Sequence, residues 1–386
     1  MSSRSPSALV RAAFHVEHQF ESLSYRLRSK LNLARPPRIL PYRGYGTTRA
    51  CVVKGRVLED RYERAALKQR TLVGSAVASW KRFATLEIPH ARVEVRWGER
   101  TWECVSDEEG FLEITVEPPD GITPGWHEVE LSLLSPASTS AVKVKAPVVV
   151  AGREAEFGII SDIDDTVIVT EVTNLFKRAY ALFLTDHRLR LPFEGVDAFY
   201  EALAQGRSGQ AGNPIFYVSS SPWNLYEHLD EYLALHRIPA GPLLLRDWGL
   251  SRTGIAPGGG HGHKLDKIRS ILRAMEPLPF LLIGDSGQED AEHYRSIVRE
   301  FPGRIRCVYI RNVRQKPGRE HAITAIAEEI RLAGSVMLAM DDTVTAAEHA
   351  ARHGWIRWQE VAEVEARKEE AEALETPVLD RFEQEA

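Results

Sequence analysis

The chain of 386 residues has little cysteine and no long apolar run. Its three cysteines, Cys51, Cys104 and Cys307, are far apart and match no metal-ligand spacing. A count so sparse and odd argues against a disulfide framework and fits a reducing compartment. No run of apolar residues reaches the length of a membrane-spanning helix, so none is expected. The N-terminal stretch MSSRSPSALVRAAFHVEHQF lacks the apolar core of a secretory signal. A cytoplasmic location is therefore expected.

What is present is the composition of a soluble globular protein, 44% hydrophobic and 27% charged. The length suggests two or three domains. The net charge of -5 is unevenly spread. Residues 1–50 hold nine basic and two acidic residues, whereas the rest holds 40 basic and 52 acidic. A basic arm on an acidic body suits either a solvated surface helix or attraction to an anionic surface such as phospholipid headgroups.

Four regions follow from the pattern. Residues 1–36 read as a basic amphipathic helix, stopped by the RPPR at 35–38. Residues 37–150 alternate apolar and polar between Gly, Pro and Asp turns, which predicts a β-rich, sandwich-like domain. Val93, Val95 and Trp97 share one face of such a strand. Residues 151–355 carry continuous apolar runs at 157–160, 214–219, 242–247, 279–285, 304–310 and 335–340, separated by helical patterns. Runs without alternation fit strands buried on both faces, as in a parallel sheet covered by helices. The fold class predicted is α/β of the doubly wound, Rossmann-like type. Such folds bind ligands at the carboxyl ends of their strands. Residues 356–386 read as a charged helical tail, taken as solvated.

The chemistry is concentrated at three of these strand ends and one helix start. FGIISDIDDTV crowds Asp162, Asp164 and Asp165 directly after the first run. In an extended segment Asp162 and Asp164 face the same side. Converging carboxylates repel unless a cation sits between them or one takes a proton, and oxygen-only ligands suit Mg²⁺. A carboxylate can also attack phosphorus, with its neighbour supplying and later taking the proton. The second element, PIFYVSSSP, presents Ser219 at a strand end before a helix, where hydroxyl and backbone N–H groups can hold phosphate oxygens. The third, HGHKLDKI, places Lys264 at a helix start. The fourth, LIGDSGQED, brings Asp285 to a strand end with Asp290 five positions on, two further oxygen donors for a metal. Other signals are set aside. MDDTV at 340–344 imitates the first element but reads as a strand followed by a helix cap. Trp223 and Tyr226 read as packing the helix after the second element. An insertion between Thr166 and Pro214, with Leu175, Phe176, Tyr180, Leu182 and Phe183 apolar, reads as a small helical lid or a plain packing face.

These four elements, in this order, resemble the motifs of the haloacid dehalogenase superfamily of phosphatases. The finer flavour of SDIDDTV, YVSSSPW and LIGDSGQED is similar to one branch of it, the relatives of actin-patch phosphatidate phosphatase, akin to lipins. The resemblance implies a Rossmann-like catalytic domain and a Mg²⁺-dependent phosphatase. Asp162 would be the nucleophile and Asp164 the general acid/base. Thr166, Ser219 and Lys264 would serve the phosphoryl group and its loop, with Ser220 the alternative to Ser219. Asp162, Asp285 and the backbone carbonyl of Asp164 would hold Mg²⁺, with Asp290 either a further ligand or a support behind one. The partners it implies are phosphatidate or a related anionic phospholipid and peripheral contact with a membrane surface, with no nucleic acid. A phosphatase for soluble esters or phosphoproteins, and a non-catalytic lipid-binding scaffold, stay open as alternatives.

Overall fold

The computed structural model describes residues 35–60, 86–138, 140–163, 166, 193–246, 261–313 and 319–384. The basic arm up to residue 34, the insertion at 167–192 and Asp164 lie outside the described residues. The chain forms two compact units, the second beginning at Ala151.

The first unit is built on seven strands: β1 (Pro37–Thr47), β2 (Cys51–Glu59), β3 (Arg92–Trp97), β4 (Arg100–Val105), β5 (Phe111–Val116), β6 (Gly125–Ser135) and β7 (Lys143–Ala151). They form one sheet in the order β4-β3-β6-β7-β1-β2-β5. The expected sandwich of two stacked sheets is therefore replaced by a single sheet that curls on itself, with its end strands β4 and β5 against each other. The reason is local. Register shifts in β1 between Tyr42 and Tyr45, and in β3 between Arg92 and Val93, add twist and bend to the ladder. Alternation does choose the inward face, since Val93, Val95 and Trp97 are all buried in one core with Val53, Leu112 and Val148.

The same unit takes in Ser221–Tyr226. Trp223 stacks on Tyr42 with ring centroids 4.5 Å apart, and Tyr226 lies 4.4 Å from Tyr42. These aromatics thus pack on strand β1 rather than only along their own helix, because Tyr42 and Phe111 offer them ring faces.

The second unit carries a six-stranded sheet of β8 (Gly158–Ser161), β9 (Ile215–Pro222), β10 (Leu243–Arg246), β11 (Phe280–Asp285), β12 (Ile305–Arg311) and β13 (Val336–Met340). Its helices are α1 (Val196–Gln205), α2 (Tyr226–Leu235), α3 (His261–Ala274), α4 (Asp290–Glu300), α5 (Arg319–Leu332), α6 (Thr343–Arg352) and α7 (Trp358–Gln384). All six apolar runs form strands. The order is β10-β9-β8-β11-β12-β13, and β8 pairs in parallel with both β9 and β11. Every residue of β8 and β11 is buried, as the unalternating runs predict. β13, one of the sheet's two edge strands, differs, with Val336 exposed.

The strand order positions the site. The chain leaves β8 in one direction through β9 and β10, then crosses back to β11 and continues the other way. Strand order thus reverses between β8 and β11, the topological switch point at whose carboxyl ends open α/β sheets bind their ligands. Asp162 follows β8 directly, and Asp285 ends β11.

MDDTV is a strand end and helix cap, as its sequence suggests. The Asp342 carboxylate accepts from the Thr345 N–H and hydroxyl, both at 2.8 Å, and pairs with Lys368 of α7 at 3.0 Å. The front of α7 is accordingly docked rather than a solvated tail: Val361 and Val364 are buried, and Arg367 reaches Asp197 of α1.

Replacing Asp342 by alanine should cost about 1 kcal/mol of stability in urea denaturation. Asp342→Asn keeps a cap and should cost less. Burial pushes the Asp342 carboxyl up, but Thr345 and Lys368 outweigh it and hold it below its ordinary value of 3.8. A carboxylate with a lowered folded pKa adds stability above its unfolded value and loses it as pH falls through the folded one. The gap between wild type and D342N should therefore be full at neutral pH and close in acid below that ordinary value. A gap that persists unchanged in strong acid would show that the charge is irrelevant.

Candidate active site

Asp162 is held through its backbone. Its N–H donates to the Ile283 carbonyl at 2.9 Å, so the end of β8 is tied to β11. The same carbonyl accepts from the Tyr294 hydroxyl of α4 at 2.8 Å. The Ser161 hydroxyl donates to the Asp162 carbonyl at 2.6 Å and meets the Tyr200 hydroxyl of α1 at 2.7 Å. With its one proton committed to that carbonyl, Ser161 accepts from Tyr200. Both tyrosines stay neutral, since burial pushes their phenols well above the ordinary range.

Asp285 sits in a tight loop. Its Oδ1 accepts from the N–H groups of Gly287 and Gln288, at 2.7 and 2.8 Å, so the carboxylate closes the turn that follows it. Asp290 opens α4, where the positive end of the helix dipole favours a carboxylate. Its Oδ2 accepts from the Asp285 N–H at 3.2 Å. Gly284 makes this approach possible: a Cβ there would stand 2.4 Å from Asp290 Oδ2. At Gly287 a Cβ would meet Val313 at 2.8 Å and Asp285 Oδ1 at 3.1 Å. The two glycines of GDSG are thus spacers for the two acids.

Lys264, in the first turn of α3, joins the set. Its ammonium lies 3.0 Å from Asp162 Oδ1 and hydrogen-bonds Asp290 Oδ1. Burial works against its charge, but Asp162 and Asp290 prevail and hold its pKa above the ordinary lysine value. It is therefore a cation throughout the neutral range.

The structure thus brings together Asp162, Lys264, Asp285 and Asp290, all buried. Carboxylate oxygens of the three aspartates lie within 4.8 Å of one another. At that spacing each pair of negative charges repels by on the order of 3 kcal/mol even in a well-screened interior. One ammonium balances one carboxylate and leaves a formal charge of two negatives. An all-oxygen donor set with that residual charge fits a divalent hard cation such as Mg²⁺. Ser219 is buried and Ser220 half-buried near the end of β9, the strand beside β8. Thr166 is buried just after the Asp162 loop. The sequence reading passes over Arg319, whose guanidinium grips the Asp285 loop. Nothing in KPGREH marks it, because its partners are the backbone carbonyls of Ser286 and Gln288 and the Glu292 carboxylate, 33, 31 and 27 residues away.

Residues 157–312 match the family described as the catalytic domain of phosphatidate phosphatase APP1. That stretch holds the whole cluster. Among curated proteins, phosphatidate phosphatase APP1 of Saccharomyces cerevisiae is 32% identical over 155 residues, covering 40% of this chain and 25% of that protein. An uncharacterized protein of Schizosaccharomyces pombe is 29% identical over 157 residues, with the same coverage of 40% and 25%. The matched part is thus about a quarter of the length of these relatives. A carbohydrate acetylesterase from Xanthomonas citri aligns over 81% of this chain and 73% of its own, but at 9% identity and a TM-score of 0.31 it has no bearing on fold or function.

Two substitutions test the cluster. Gly284→Ala should displace the Asp290 carboxylate and weaken divalent-cation binding measurably in calorimetry, while leaving the far-ultraviolet circular dichroism unchanged; unaltered binding would mean that Asp290 has room to spare. Lys264→Met should cost about 3–5 kcal/mol in metal-free protein, because it strips a buried ion pair of one partner. Added Mg²⁺ should restore part of that loss. Equal urea midpoints for K264M and wild type would show that the carboxylates do not need the ammonium.

Proposed function

We propose that this chain is a Mg²⁺-dependent phosphatase that works through a phospho-aspartate and converts phosphatidate to diacylglycerol. The observation that carries the reading is the buried convergence of Asp162, Asp285 and Asp290 around Lys264, within a stretch similar to a phosphatidate phosphatase catalytic domain. The same four ordered elements support a haloacid dehalogenase-like reading of the unit.

Asp162, Asp285 and Asp290 would hold Mg²⁺, together with the backbone carbonyl of Asp164, as the family resemblance implies. Bound there, the ion would offset the phosphate's negative charge and allow the acids to approach it. Asp162 attacks phosphorus, and the bond from phosphorus to the glycerol oxygen breaks. Asp164 gives its proton to the departing alkoxide, releasing diacylglycerol. Water then attacks the phospho-aspartate, Asp164 takes back a proton, and inorganic phosphate leaves. Lys264 fixes the orientation of Asp162 and offers positive charge to the phosphoryl oxygens. Ser219, with Ser220 beside it, and Thr166 serve the phosphoryl group and the Asp162 loop.

A lipid substrate implies work at a membrane surface. The basic arm at 1–36 supports this through attraction to anionic headgroups. No helix among the described residues is long and apolar enough to cross a membrane.

The test is phosphate release from phosphatidate in mixed micelles, with and without Mg²⁺, for wild type, Asp162→Asn and Asp164→Asn. Release by wild type only with Mg²⁺, and at least a thousandfold loss in both variants, is the expected result. Turnover by D162N would remove Asp162 as nucleophile. Silence on phosphatidate alongside activity on soluble phosphate esters would move the substrate out of the membrane.

A further inference from the structure

The loop between β11 and α4 carries two of the three clustered acids, and a single side chain from α5 grips both of its flanks. Arg319 opens α5. Its Nε donates to the Ser286 carbonyl at 2.9 Å, and one terminal nitrogen donates to the Gln288 carbonyl at 2.6 Å. Its outer edge forms a forked pair with Glu292 of α4, at 2.5 and 3.0 Å. Four of its five N–H donors are thereby used on one seven-residue stretch, Ser286 to Glu292.

Each contact bears on a metal-facing acid. Ser286 and Gln288 flank Gly287, and the N–H groups of Gly287 and Gln288 are those that hold Asp285 Oδ1. Glu292 lies in the first turn of α4, two residues after Asp290. The Ser286 hydroxyl is also tied, accepting from the Val313 N–H at 3.1 Å, so the loop is gripped from two sides. Arg319 takes the carbonyls of the turn that Asp285 closes.

We propose that Arg319 is a positioning residue for the divalent-cation site, fixing the Asp285 turn and the first turn of α4 so that the two carboxylates converge before the ion arrives. The inference rests on the reading of the cluster as a metal centre. Supports behind metal ligands commonly change affinity by about 10- to 100-fold when removed. Lysine cannot replace this arginine, since a point charge cannot reproduce a planar fork that meets two carbonyls and a carboxylate at once.

The experiment titrates Mg²⁺ into the metal-free full chain by calorimetry, for wild type, Arg319→Ala, Arg319→Lys and Glu292→Gln. Unfolding temperature is recorded with and without Mg²⁺. The expected result is a dissociation constant about 10- to 100-fold higher in R319A, with R319K and E292Q in between. Phosphate release at saturating Mg²⁺ should fall much less than the affinity does. If the variants bind Mg²⁺ as wild type does, and only the metal-free unfolding temperature falls, Arg319 is a structural clamp and the proposal is overturned. If wild type itself takes up no Mg²⁺, the metal reading of the cluster fails first. Should R319A not fold, R319K and E292Q decide the matter alone.

Discussion

The Lys264 ammonium between Asp162 and Asp290 is the interaction on which the site depends. Three buried carboxylates converge there, and a buried cluster of like charges is expensive without a counter-charge. The lysine reaches them only because α3 starts beside the carboxyl end of the sheet. Its charge is secure, since the two acids more than offset what burial takes away. One ammonium among three acids also leaves an imbalance of the right sign and size for a divalent cation.

That arrangement follows from topology. Strand order reverses between β8 and β11, so these two adjacent strands bring their carboxyl ends side by side. Asp162 and Asp285 are neighbours because Ser161 and Ile283 pair in register. Asp290 joins them through a short turn whose glycines leave no side chain in the way. Rigid strands thus supply two acids, and a helix start supplies the third. Arg319 adds a fastening across the loop between them.

The antiparallel unit obeys a different constraint. Strands such as β3 bury one face, and the sheet curls until β4 meets β5. Bulges in β1 and β3 supply the bend. Ser221–Tyr226 belongs to this unit, so the chain passes from the end of β9 into an aromatic cluster with Tyr42 and Phe111.

Much of this was legible in the residues themselves. Unbroken apolar runs announce buried strands because both faces of a parallel sheet are covered. The helix cap at Asp342 follows from local hydrogen-bond demand. The convergence of Asp162, Lys264, Asp285 and Asp290 was foreshadowed too, because each stands near a strand end or a helix start. Tertiary structure alone decided the rest. Alternation records only which residues face inward, so it cannot tell two stacked sheets from one curled sheet. Apolar content does not reveal that β13 is an edge. Trp223 looks the same in sequence whether it packs on its own helix or on Tyr42. Arg319 is silent in sequence for the same physical reason: two of its three partners are backbone carbonyls, which every residue has, and only the fold brings those of Ser286 and Gln288, and the Glu292 carboxylate, within its reach.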